Sequence, residues 1–203
     1  MKKIIALFLS VVCVIGLVSC GGGATTTPPK EDPLKVFTEA LSLADPKSAT
    51  IETSLESQSF GVTLEGVYEI TYNEDGTATV AYEYDQLLEI NDDTPDDAEL
   101  VYQVEGSATI AQNGAVSGDV SDQVAAVAGV KLNIDASKMT YTVSSGLLSA
   151  TVKAADTAAI LGAAISYDVS FTLSLTAEGA VSAITVSYTS AQGPVEIVCL
   201  YNY

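Results

Sequence analysis

The alternation of apolar and polar residues along most of this chain constrains its fold more than any other feature. Between Val62 and Tyr72, and again between Ile165 and Thr176, nearly every second residue is aliphatic or aromatic. The residues between them are mostly Ser, Thr, Asp and Glu. A period of two places successive side chains on opposite faces of a β-strand. The pattern therefore predicts long antiparallel strands with one face buried and the other in water.

Turn signals divide this pattern into about nine strands. Asn73-Glu74-Asp75-Gly76, Asn113-Gly114 and Glu178-Gly179 each supply a glycine where a tight turn requires a positive φ. We expect strands between Ser48 and the turn at Asn73–Gly76, and another after this turn. A further strand is expected from Glu99 to Ala111, before the turn at Asn113-Gly114. Later strands are predicted over residues 131–135, 139–144, 147–153, 165–176, 180–190 and 194–203.

Three helices are predicted between the strands. Asp32-Pro33 offers an N-cap and a first-turn proline, which begin a helix of about 12 residues that Asp45-Pro46 ends. Two shorter helices are expected over residues 122–128 and 157–161, each followed by a glycine. Together the helices can cover only one face of a large sheet.

The fold class expected from these elements is α+β, mainly β. The preferred architecture is a large curved antiparallel sheet, or half-barrel, of about nine strands. An N-terminal helix and two short inserted helices would lie on its concave side. A sandwich of two sheets would also bury one face of each strand, so it remains open at this point.

The first residues determine where such a domain would be located. Met1-Lys2-Lys3 precedes an apolar run from Ile4 to Val18, which is shorter than the roughly 20 residues that span a membrane. Leu17-Val18-Ser19-Cys20 resembles the lipobox of bacterial lipoproteins. The other interpretations are an ordinary signal peptide that contains a cysteine, and an uncleaved membrane helix.

The lipobox resemblance implies that Cys20 carries a diacylglycerol, with acyl chains such as palmitate, and becomes the first mature residue. Residues 1–19 would then be the signal peptide, residues 20–32 the acylated cysteine and a flexible linker, and residues 33–203 one β-rich domain. The protein would be a membrane-anchored lipoprotein of the bacterial cell envelope, exposed outside the cytoplasm.

The order of elements carries a second resemblance. An acylated N-terminus, a leading helix, a long run of hairpins and small late helices are similar to the half-barrel lipoprotein group. That group includes the LolA-like lipoprotein carriers and the mycobacterial LppX/LprG-like lipid-binding lipoproteins. The resemblance implies a concave face that binds acyl chains, but it identifies no individual binding residue.

The composition disfavours several functions. The net charge is −18, and 19 of the 26 acidic residues lie between Glu31 and Glu105, which argues against binding nucleic acid. The chain contains neither His nor Arg, so the usual histidine-based catalytic groups and arginine clamps are absent from its sequence. We therefore expect a protein that is not an enzyme and needs no cofactor or metal.

Two candidate sites follow from the pattern. Six tyrosines fall at positions that the alternation assigns to the buried face. They either line a ligand groove or form the core under the helices. They are Tyr68, Tyr72, Tyr82, Tyr84, Tyr102 and Tyr167. An acidic loop could offer oxygen ligands to a cation, although its spacing is not that of an EF-hand. The alternative is a solvated loop without a bound ion. Its acidic residues are Asp92, Asp93, Asp96, Asp97 and Glu99.

Two further features are assigned structural roles. Glu65, Glu69, Glu83 and Asp85 could pair for acid–base chemistry, but they fall on the face predicted to be wet. Cys199 lies in a strand-like run and is expected to be a buried thiol.

The function expected from the sequence is a non-enzymatic binding module for a hydrophobic or amphipathic, lipid-like ligand in the concave face. The alternative is a surface lipoprotein that interacts with another protein and has a packed core without a ligand cavity. Its partners would be the membrane, through the acyl anchor, and this ligand or protein.

Overall fold

The computed structural model describes residues 32–42, 46–57, 61–89, 98–128 and 132–203, within one compact unit from Asp32 to Tyr203. The predicted signal peptide, Cys20 and most of the linker lie outside the described residues. So does the predicted acidic loop as far as Asp97.

The strands form one open, curved antiparallel sheet. Its ten strands lie in the order β5-β4-β3-β2-β1-β10-β9-β8-β7-β6. The single curved sheet with three helices is confirmed, and the two-sheet sandwich is wrong. The strands are β1 Ser48–Ser57, β2 Val62–Tyr72, β3 Ala78–Glu89, β4 Ala98–Ile110, β5 Val116–Gly118, β6 Met139–Ser144, β7 Leu147–Val152, β8 Val169–Leu175, β9 Val181–Thr189 and β10 Pro194–Asn202.

The sheet consists of two five-stranded meanders joined along one seam. Strands β1 to β5 pair with their neighbours in sequence, and so do β6 to β10. The first and last strands join the halves, with Ser48 opposite Asn202 and Leu55 opposite Val195. Strands β5 and β6 therefore lie at opposite edges, although they follow each other in the chain.

The helices are α1 Lys35–Ala40, α2 Ser121–Ala128 and α3 Thr157–Leu161. The prediction of a 12-residue first helix is wrong, since α1 has 6 residues. It ends where the N–H of Ser42 bonds to the carbonyl of Glu39, a tighter turn that closes the helix. Asp32 lies before the helix, and its Oδ1 accepts a hydrogen bond of 3.0 Å from the N–H of Leu34.

One predicted strand and one predicted strand boundary are also wrong, and α3 explains both. Residues 132–135 form no strand, because the N–H of Asn133 donates to the carbonyl of Ile160 at 2.7 Å. Strand β8 begins at Val169 and not at Ile165, because the N–H of Ile165 donates to the buried hydroxyl of Thr157 at 2.9 Å. Both segments bond to α3 and are not part of the sheet ladder.

The apolar side chains form two clusters on one face of the sheet, here called the apolar face. The first cluster joins α1 and α3 to β6–β9, with Phe171, Leu148 and Ile160 among its least exposed members. The second joins α2 to β1–β5 through Val120 and Val124. A Cβ at Gly106 would lie 2.6 Å from Val120, so this glycine gives α2 the space to pack on β4.

The opposite, polar face separates charged from uncharged strands. Strands β1 to β4 carry nine acidic residues and no basic one. Strands β6 to β9 carry no charged residue at all. On the acidic half Glu83 lies directly opposite Glu105, and Asp85 lies opposite Glu65. Like charges at directly opposed positions destabilise a sheet.

Replacing Glu105 with lysine should stabilise the fold, because it converts one of these repulsive pairs into an attractive one. We expect the free energy of unfolding to rise by about 0.5 kcal/mol in low salt. Urea denaturation at low and high ionic strength measures it, and salt should reduce the gain. Thr109→Lys, on the same strand and face but opposite Thr79, is the matched control. An equal gain in both variants would contradict a pair-specific effect.

Candidate functional site

A row of aliphatic side chains crosses the seam between the two meanders on the apolar face. Leu64, Leu55 and Val195 lie directly opposite one another on β2, β1 and β10. All three are half-buried, and neither core cluster includes them. Val62 and Tyr188, also half-buried, extend the row. We name these five residues the apolar strip.

The described helices leave this strip uncovered. Helix α1 packs against β8, and α2 packs against β4 and β5, so both lie to the sides of the seam. Within the described part of the chain, no helix packs extensively on β1, β2 or β10. Half-buried aliphatic side chains that no described helix covers can contact an apolar ligand.

A buried hydroxyl marks one end of the strip. Ser57 lies directly opposite Val62 and is only 8% exposed, and among the described residues its Oγ has no hydrogen-bond partner. A buried hydroxyl without a partner costs about 1–3 kcal/mol, so a native structure rarely keeps one without a reason. The end of the strip therefore combines apolar surface with one unused polar group.

Two of the six tyrosines proposed from the sequence belong to the packed core. Tyr68 and Tyr82 lie in the second cluster, 6% and 7% exposed, with ring centroids 4.7 Å apart. Burial raises the pKa of each, and the neighbouring Tyr68 hydroxyl raises that of Tyr82 further. Their arrangement is that of a core pair under α2.

The other four tyrosines occupy three separate places. Tyr84 and Tyr102 meet edge to face at 6.4 Å, on β3 and β4 beside the strip. Tyr72 lies at the far end of β2. Tyr167 precedes β8, stacks on Tyr188 at 5.9 Å, and its hydroxyl accepts from the N–H of Ala191. The structure therefore does not gather the six into one groove.

The strip itself was missed from the sequence. Alternation alone places Leu55 and Leu64 on the inward face, but their row forms only because β10 lies beside β1 and brings Val195 opposite Leu55. No local pattern identifies the neighbour of the first strand.

The polar face carries an open groove of about 630 Å³ across β1, β2, β8, β9 and β10. Among its acids, Asp168 is bound by Lys153 at 2.6 Å and by the N–H of Ala154, contacts that lower the pKa of Asp168. Most of the residues that line the groove are polar, but Tyr188 and Val195 of the apolar strip also border it. The lining residues are Ser54, Glu56, Thr63, Glu65, Asp168, Ser170, Ser187, Tyr188, Thr189, Pro194, Val195 and Glu196.

The carboxylates considered for acid–base chemistry lie on this polar face as predicted. Glu65, Glu69 and Glu83 are exposed, whereas Oδ1 of Asp85 is buried and has no hydrogen-bond partner among the residues that the structure describes. Across the five described ranges, no three acidic or cysteine side chains cluster closely enough to hold a metal ion. A search of the same ranges finds no helix with the length and hydropathy needed to cross a membrane.

Comparisons with known proteins identify no family. No protein-family model matches the chain, and no curated protein does. Among solved structures, LprF from Mycobacterium bovis matches with a TM-score of 0.33 and 14% identity, over 82% of this chain and 89% of that one. At such values the match carries no argument about function, which must come from the residues themselves.

Cys199 borders the seam on β10 and is buried and free. Burial raises the pKa of its thiol from 9.0 to about 11. The unfolded chain therefore loses this proton at a lower pH than the folded chain does.

The contribution of this thiol to the stability of the fold should be constant below about pH 9 and fall as the pH rises toward 11. Between pH 9 and 10 this thiol contributes a loss of at most about 1.4 kcal/mol per pH unit. Urea denaturation of residues 21–203, wild type and Cys199→Ala, measures the slope. The variant should be less stable at neutral pH and show a flatter decline. An unchanged slope would assign the alkaline loss to the tyrosines.

Proposed function

We propose that this protein is a cell-envelope lipoprotein, anchored through Cys20, that binds an amphipathic ligand along the apolar strip. The observation that carries the proposal is the row Leu64–Leu55–Val195, which is aliphatic, half-buried and outside both core clusters. A ligand with an apolar tail would remove these side chains from water, at about 25 cal/mol for each Å² buried.

The chemistry around the strip supports an amphipathic ligand over a purely apolar one. The Ser57 hydroxyl at one end offers a donor and an acceptor to a polar group such as an ester or a hydroxyl. Tyr84 and Tyr102 beside the strip supply surfaces that are apolar on the ring and polar at the hydroxyl.

We further propose that the protein binds and does not catalyse. Its sequence contains no His and no Arg. The carboxylates that could exchange protons lie on the polar face, opposite the strip. Binding without turnover therefore fits the distribution of functional groups over the two faces.

A dansyl-labelled fatty acid tests the strip directly. We expect residues 21–203 to bind the probe with a blue shift of its fluorescence, and Leu64→Asn to weaken binding about tenfold, because an amide would face the tail. Thr63→Asn, the neighbouring residue on the polar face, is the matched control and should bind as wild type does. Native mass spectrometry after expression in a bacterial envelope would identify a co-purifying ligand.

Equal binding by both variants, or no binding and no co-purifying ligand, would contradict the proposal. The second result would favour the alternative, a protein-interaction module with a filled core. One observation already favours that alternative in part, since Tyr68 and Tyr82 pack into the second cluster and do not line a cavity.

The anchor has its own test, independent of the ligand. Replacing Cys20 with alanine should move the protein from the membrane fraction to the soluble envelope fraction, because the proposed acyl chains would be missing. Cell fractionation with metabolic palmitate labelling measures both distribution and acylation. Ser19→Ala, which keeps a small residue before the cysteine, should remain acylated. Acylation of the Cys20→Ala chain would refute this assignment.

A further inference from the structure

Strand β6 forms one outer edge of the sheet. It pairs with β7 on one side, and on its other side the described residues provide no backbone partner. Its apolar-face residues Met139 and Tyr141 belong to or pack on the first cluster, so the strand is held in place. The edge is therefore both ordered and open.

The turn after β6 determines which backbone groups face outward. Ser145 and Gly146 have φ of 40° and 78°, and the values fit a two-residue type I′ hairpin. Such a turn makes Ser144 and Leu147 a mutually hydrogen-bonded pair. By alternation, the N–H and C=O groups of Met139, Tyr141 and Val143 point away from β7.

The usual protection of an edge strand is missing from β6. The other edge, β5, has only 3 residues and leads into α2, which packs against it. In contrast, β6 has 6 residues, with no charge and no proline. Natural sheets usually block open edges with lysine, proline, a bulge or a short strand.

The distribution of charge indicates which partner fits this edge. Strands β6 to β9 carry no charge, whereas β1 to β4 carry nine acids. Two copies that met through β1–β4 would bring like charges together, whereas two copies that met through the uncharged strands would not. The β6 edge therefore allows two copies to meet with their acidic halves at opposite ends.

We propose that β6 pairs antiparallel with β6 of a second copy, about a twofold axis at Tyr141. Met139 would then lie opposite Val143 of the second copy, and Thr140 opposite its Thr142. The outward groups would form about six hydrogen bonds. The apolar faces of the two copies would join across the axis. On the polar faces, Thr140 and Thr142 would form cross-strand threonine pairs, which stabilise sheets.

Sedimentation of residues 21–203 at up to about 100 μM tests this pairing. Wild type should show a monomer–dimer equilibrium. Val143→Pro should weaken dimerisation at least about tenfold, because it removes an outward N–H and leaves the ladder to β7 complete. Far-UV circular dichroism should show an unchanged sheet.

A charge exchange tests the register without touching the apolar core. Thr140→Lys with Thr142→Lys places lysines opposite each other across the axis and should abolish the dimer in low salt. Thr140→Lys with Thr142→Glu has similar surface chemistry but pairs opposite charges, and should keep it. A monomeric wild type, or a dimer that neither Val143→Pro nor the double lysine variant weakens, would overturn the proposal.

Discussion

The pairing of the first strand with the last is the interaction on which the rest of this structure depends. Every other strand pair lies within one five-stranded half, so the pairing of β1 with β10 alone makes the two halves one sheet. The apolar strip exists only because of this seam, since Leu55 takes one neighbour from each half. Ile184, Ile197 and Tyr201 contact both core clusters there and connect the two hydrophobic regions.

Local features were predictable from the sequence wherever one short segment determined them. The turns at Gly76, Gly114 and Gly179 lie where their dipeptides indicate, each with positive φ. Alternation predicted the buried face of most strands. The errors arose where a distant group competed with the sheet: the Thr157 hydroxyl and the carbonyl of Ile160 took backbone groups that the pattern had assigned to strands.

The candidate site shows a different limit. The phase of a strand tells which face a side chain occupies, and by that rule all six tyrosines are predicted on one face. Five of them lie on strands at apolar-face positions, whereas Tyr167 precedes β8. Phase does not tell which rows lie beneath a helix. Tyr82 shares a cluster with Val120 and Val124 because Gly106 admits Val120, whereas no helix in the described part of the chain packs extensively on the strand of Leu64, which has the same phase. Aliphatic residues that no sequence motif marks therefore form most of the strip, whereas Tyr68 and Tyr82 pack in the core.

The arrangement as two meanders has a kinetic consequence. Hairpins within each half join residues close in sequence and can form early, whereas the seam joins Ser48 to Asn202 and must close a loop of almost the whole described chain. During synthesis β1 has only one neighbour until β10 emerges from the ribosome, so one of its edges stays open throughout. The rate-limiting event of folding should then be the docking of two preformed halves, and mutations along the seam should slow folding more than those in the hairpins.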